Sequence, residues 1–239
     1  LDLNLFMLVL ASAVSIAAGY IINNFYDSEK DLINRPIKSR LDKLVSQNTK
    51  LSFYFVLNFL AAIMASYVSF RAVVFFSIYI FGIWFYSHKL KKLPFIGNLT
   101  SAVLTITPFF AIFLYYKNFE SSIFVHAIFL FLMISMRELT KDLENIKGDL
   151  TQNYHTIPVV YGEEVSKKML TILSILTLVP IYLLLYKYEI GDMYLYFYLS
   201  IVLLSFFLIL LWKSKSKLHY LLLHNILKFI IVLGVFSIL

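Results

Sequence analysis

The chain of 239 residues has no cysteine, seven glycines and five prolines, and only 15% of its residues are charged. Without cysteine there is no disulfide framework, no thiolate zinc site and no thiol nucleophile. So little glycine and proline excludes a low-complexity or collagen-like chain. An ordinary soluble domain carries about 25% charged residues. The shortage here excludes disorder and a basic nucleic-acid-binding arm, so nucleic acid is not an expected partner. What remains is apolar. Hydrophobic residues make up 60% of the chain and mean hydropathy is +0.80.

Apolar stretches recur near residues 4–22, 52–69, 71–86, 99–116, 121–139, 169–187, 194–212 and 219–238. A helix crosses the hydrocarbon layer with about 20 residues. Backbone polar groups inside lipid must be satisfied within the segment, so these stretches read as helices and not as open sheet. The expected fold is all-α: a polytopic transmembrane bundle of about eight helices in one domain, 1–239. Pro108 and Pro180 fall inside apolar stretches, where proline removes a hydrogen bond and bends a helix.

Basic residues alternate between successive connections. Seventeen lysines and arginines fall in one set of connections, three in the other, and Lys228 lies inside the last stretch. The positive-inside rule places the rich set in the cytoplasm. The net charge of +7 therefore reports orientation in a multi-pass integral membrane protein. Two segments on that side, 23–50 and 137–168, hold ten of the fourteen acidic residues.

The acidic residues are helically spaced. Asn23, Asp27 and Asp31 stand at i, i+4 and i+8. Glu138, Asp142, Asn145 and Asp149 stand at i, i+4, i+7 and i+11. On helices continuing past the apolar stretches, each set forms a stripe. Oxygen donors without cysteine or clustered histidine suit a hard cation such as Mg²⁺, which takes one or two carboxylates plus waters and phosphate oxygens. Lys89, Lys91, Arg137 and Lys141 lie on the same side and suit a diphosphate. The two stripes thus point to a metal–diphosphate site at a membrane mouth. His88, His126, His155, His219 and His224 have no metal-binding spacing and read as structural.

Asn23-Asn24-x-x-Asp27-x-x-x-Asp31 resembles the first motif of the UbiA superfamily of intramembrane prenyltransferases, Asn-Asp-x-x-Asp-x-x-x-Asp. Arg137-Glu138-x-x-Lys141-Asp142-x-Glu144-Asn145-x-x-Gly148-Asp149 resembles the second motif, in the form typical of the branch similar to digeranylgeranylglyceryl phosphate synthases. Thr156-Ile157-Pro158, Tyr161-Gly162, Tyr86-Ser87-x-x-Leu90-Lys91 and Gly97-Asn98 also resemble family positions. Two positions depart from the pattern: Asn24 and Asn145 stand where the family has aspartate. Each exchange removes one negative charge and keeps an oxygen donor.

The resemblance implies nine transmembrane helices, with this sequence starting where the second would start, so the first is expected to be missing. It implies Mg²⁺ as cofactor, bound by Asn23, Asp27, Asp31, Asn145 and Asp149. It implies catalytic roles for Asp27, Asp31, Asp142 and Asp149, and diphosphate binding by Asn23, Lys91, Arg137 and Lys141. Tyr26 and Tyr86 are the nearest ring faces for a developing allylic cation. The implied partners are a prenyl diphosphate donor, a lipophilic acceptor and the bilayer, with the active-site mouth on the cytoplasmic side. The expected reaction moves a prenyl group, geranylgeranyl by the branch, to geranylgeranylglyceryl phosphate. The alternatives are an aromatic acceptor, as in quinone biosynthesis, and a non-catalytic transporter or binding protein.

Overall fold

Local signals set the helix ends. In the computed structural model, which describes residues 2–237, Asp2 caps α1 by accepting from the backbone N–H of Asn4 and Leu5. Helix α1 then runs Leu3–Asn34, well past the apolar stretch, because nothing in the acidic motif breaks it. It stops before Pro36. The residue preceding a proline is pushed out of the helical region, and Arg35 sits at φ −142°, ψ 64°. Pro36 then opens the short α2, Pro36–Asp42. Ser46 caps α3 (Gln47–Val68) and Ser69 caps α4 (Phe70–His88), each by accepting a backbone N–H of the first turn. A 3₁₀ turn at Leu90–Lys92 leads to α5, Ile96–Tyr116.

The remaining helices are α6 (Ser121–Thr151), α7 (Ile157–Lys187), α8 (Met193–Lys213) and α9 (Lys217–Phe236). Among the described residues eight helices are long and apolar enough to cross a membrane. Hydropathy located all eight but ended α1 and α6 too early, since it stops counting where the polar motifs begin. The non-helical residue inside α7 is Gly162, at φ 83° and ψ 171°, a conformation open essentially to glycine alone.

Two compact units divide the chain. One comprises residues 1–118 with 150–154; the other comprises 119–149 with 155–239. In the first, α1 lies against α3, α4 and α5. Ala11, Ala18, Ala61 and Ala65 are fully buried there, and such small side chains let helix backbones approach closely. Leu8, Phe76 and Tyr79 fill the same core.

In the second unit, Met133, Met136, Leu170, Phe197, Phe207, Tyr220, Leu223 and Leu227 form the core of α6–α9. Polar groups inside it are tied across helices. Tyr196 on α8 donates to the carbonyl of Ile230 on α9 at 3.2 Å. A Cβ at Gly234 would fall 2.8 Å from the Tyr196 hydroxyl, so a larger residue there would have to displace that hydroxyl. On α6, Glu144 Oε2 lies 3.0 Å from His224 Nδ1 on α9, and both side chains are almost fully buried. Hydrogen bonds to a charged group contribute about 1.5–3 kcal/mol. His224→Leu should therefore destabilise the protein by roughly that amount. Thermal unfolding in detergent measures it, and a melting temperature equal to wild type would mean that the pair does not hold α6 to α9.

Candidate diphosphate and metal site

The first unit brings together residues far apart in sequence. The 3₁₀ turn carries Lys91, whose ammonium donates to Asn23 Oδ1 at 3.0 Å and to Asp27 Oδ1 at 2.8 Å. Only 5% of the Lys91 side chain is exposed. The same Asp27 oxygen lies 3.3 Å from Lys30 Nζ and accepts from the Tyr154 hydroxyl at 3.3 Å. The ring of Tyr154 in turn meets three ammonium groups, with Lys30 Nζ at 4.4 Å, Lys92 Nζ at 5.3 Å and Lys91 Nζ at 5.9 Å from its centroid. Tyr26, singled out for its ring face, lies 5.9 Å from Lys91 Nζ.

The backbone that presents Lys91 is strained. Phe95 has φ 59° and ψ −55°, and Ile96 N donates to the Pro94 carbonyl at 2.6 Å. That is a γ-turn with positive central φ, a rare and costly form. Gly97 follows in the first turn of α5, and a Cβ there would meet the carbonyl oxygen of Leu90 at 3.1 Å and the Cα of Lys91 at 3.2 Å. The start of α5 thus presses directly on the backbone of the lysine turn. Strain of this kind persists where the surroundings over-determine it, commonly at functional sites.

Asp31 departs from the expected stripe. Its Oδ2 accepts from Lys38 Nζ of α2 at 3.3 Å. The reason is helical drift. At 3.6 residues per turn, a position eight residues on has rotated by about 80° from the first. Asn23 and Asp27 therefore share one face, while Asp31 turns toward α2 with Asn24. A mostly apolar cavity of about 670 Å³ opens in the same unit between Leu8, Phe70, Phe76 and Tyr115. It contains none of the motif residues.

The second motif lies on α6 in the other unit. Arg137 and Lys141 each reach Glu138, with both N···O distances 2.6 Å. Asn145 uses its Nδ2 to bond the Lys141 carbonyl at 2.8 Å. Asp149 is buried, and its Oδ2 accepts from Thr156 Oγ1 at 3.3 Å. Asp142 is half-buried on the same helix.

The donor chemistry fits Mg²⁺ in one respect and limits it in another. The motif side chains are carboxylates and amide oxygens, the ligands of a hard cation. Among the described residues no three histidine, aspartate or glutamate side chains stand together as a ready-made metal cage. That suits an ion which takes one or two carboxylates and completes its shell with waters and phosphate oxygens.

Lys30, Lys92 and Tyr154 were not anticipated from the sequence. Lys30 stands i+3 from Asp27, a spacing that could have marked it. Tyr154 stands two residues before the threonine of the Thr-x-Pro element, but its arrival beside Asp27, 127 residues earlier, carries no sequence signal.

Residues 1–222 match the UbiA prenyltransferase family. A digeranylgeranylglyceryl phosphate synthase from Methanobrevibacter smithii is 32% identical over 231 residues, covering 90% of this chain and 79% of the relative. Its counterpart from Thermococcus sibiricus is 36% identical over 162 residues, covering 67% of this chain and 57% of the relative. A solved digeranylgeranylglyceryl phosphate synthase structure has a similar fold, with TM-score 0.73 and 22% identity over 100% of this chain and 85% of that one. A UbiA homolog from Archaeoglobus fulgidus bound to GPP and Mg²⁺ gives TM-score 0.72 and 15% identity, covering 100% and 88%. With its helices, its ordered acidic motifs and this match across both units, the chain belongs to the UbiA prenyltransferase family of integral membrane enzymes, which transfer prenyl groups.

Proposed function

We propose that this protein transfers the geranylgeranyl group of geranylgeranyl diphosphate to the hydroxyl of geranylgeranylglyceryl phosphate, releasing diphosphate and forming an ether. The observation that carries the reading is the cluster of Lys91, Lys30 and Lys92 around Asn23, Asp27 and Tyr154. Two of these ammonium groups reach one carboxylate oxygen. Three ammonium groups thus gather at one place on α1, and they are held there before any ligand arrives. The acceptor assignment is supported by the second motif and by the named relatives.

In this reading Lys30, Lys91 and Lys92 bind the diphosphate oxygens of the donor. Charge-assisted bonds from fixed ammonium groups strengthen as negative charge gathers on the leaving group. Asn23, Asp27 and Asp31 of the first motif hold Mg²⁺, as do Asn145 and Asp149 of the second, with Asp142 beside them. Bound there, Mg²⁺ supplies Lewis-acid stabilisation of the leaving diphosphate. The bond between C1 and the diphosphate oxygen breaks, and its electron pair leaves with diphosphate. The acceptor oxygen forms the new bond to C1, and its proton is lost to solvent or to a motif carboxylate. In the second motif, Arg137 and Lys141, both held on Glu138, are the diphosphate-binding cations. Tyr26 and Tyr154 offer ring faces near the lysines. Both motifs fall in connections of the basic-rich set, which supports a cytoplasmic mouth.

The direct test is diphosphate release by the purified protein in nanodiscs. Geranylgeranyl diphosphate is supplied with and without Mg²⁺, against geranylgeranylglyceryl phosphate and a panel of aromatic acceptors. Release is expected only with Mg²⁺ and the glyceryl phosphate; release with an aromatic acceptor alone would reassign the acceptor.

Two substitutions examine the cluster. Lys91→Ala removes two hydrogen bonds from a charged donor, and the apparent KM for the prenyl diphosphate should rise about 10- to 100-fold. An unchanged KM would remove Lys91 from the donor site. Asp27→Asn should cost about 100-fold in kcat, and full activity in a folded sample would rule out its catalytic role.

A further inference from the structure

Asn24 is one of the two places where the chain departs from its family's motif pattern, and the structure gives that departure a use. The side chain is engaged at both of its polar atoms. Its Nδ2 donates to Asp42 Oδ2 at 2.8 Å, and its Oδ1 accepts from Lys50 Nζ at 3.1 Å. These partners fix the orientation of the amide. Turned over, it would set an oxygen against a carboxylate and an NH₂ against an ammonium group. Asp42 is the last residue of α2 and Lys50 lies in the first turn of α3, so one amide joins α1, α2 and α3. Asp42 Oδ2 also stands 3.9 Å from Lys38 Nζ, the group that donates to Asp31 Oδ2. A small cavity of about 140 Å³ lies within this corner, lined by Ser28, Asp31, Ser39, Asp42 and Lys50 among others.

We infer that Asn24 is a positioning residue: its amide fastens α2 to α1 and, through Asp42 and Lys38, sets where the Asp31 carboxylate lies. An aspartate at this position would bring a second carboxylate to hydrogen-bond distance of Asp42 in place of the amide N–H that now bonds it, and like charges that close repel strongly. An amide is the side chain that can donate a hydrogen bond to Asp42 and still accept one from Lys50. The departure at Asn24 is then an adaptation of this corner and not the loss of a metal ligand. That Asp31 serves Mg²⁺ rests on the proposed function; the tie among the three helices does not.

A charge exchange tests the tie. The full chain in detergent is compared as wild type, Asn24→Asp, and the exchanged pair Asn24→Asp with Asp42→Asn, which restores one donor and one acceptor in reversed order. The single variant should melt about 2–4 °C lower. Its half-saturating Mg²⁺ in prenyl transfer should rise roughly tenfold, as when a supporting partner of a ligand is lost. The exchanged pair should recover both. An unchanged melting temperature in the single variant overturns the inference. So does a lower half-saturating Mg²⁺, which would make position 24 a ligand position. A pair no better than the single variant overturns it as well. If the single variant fails to fold, the pair must fold for the inference to stand. Should the reading of the reaction itself be wrong, wild type and variants alike show no turnover, and the melting series still decides the tie.

Discussion

A primary ammonium group with 5% of its side chain exposed needs oxygen atoms in place of the water it has lost, and around Lys91 those atoms come from Asn23 and Asp27. Burying a charge is costly unless it is paired and hydrogen-bonded. The 3₁₀ turn, the γ-turn at Phe95 and the close approach of Gly97 all serve to hold that ammonium group against α1. Once it is held there, Asp27 becomes a meeting point for Lys30 and Tyr154 too. An arrangement fixed in advance need not reorganise when a diphosphate binds, and preorganised charge is the main source of electrostatic stabilisation in catalysis.

The second motif solves the same problem differently. Its acidic residues sit on a single long helix, and its charges are satisfied largely by near neighbours or by the helices beside it. Glu138 holds Arg137 and Lys141, Asp149 takes a bond from Thr156, and Glu144 pairs with His224 of α9. The cations of this motif are therefore positioned by a carboxylate in the same way that the carboxylate of the first motif is positioned by cations.

Asn24 and Asp31 show that a motif is more than a row of ligands. A helix that carries chemistry on one face must still be packed on another. The face turned toward α2 and α3 uses Asn24 and Asp31 for that packing, through Asp42, Lys50 and Lys38. Residues that a linear pattern groups together thus divide between two surfaces of α1.

The eight apolar helices, the two acidic motifs and the family were legible in the sequence, because each is local. Hydropathy over some 20 residues, spacing of four along a helix and short ordered motifs need no knowledge of the fold. The continuation of α1 and α6 beyond their apolar parts was signalled by the helical spacing of their acidic residues and not by hydropathy. The partners of the motif residues were not legible. Tyr154 and Asp27 are 127 residues apart, Glu144 and His224 are 80 apart, and Asn24 and Lys50 are 26 apart. A side chain's charge and reach are properties of its own residue. The oxygen or ammonium group it meets depends on which helix faces are packed together, and that was decided only by the tertiary structure.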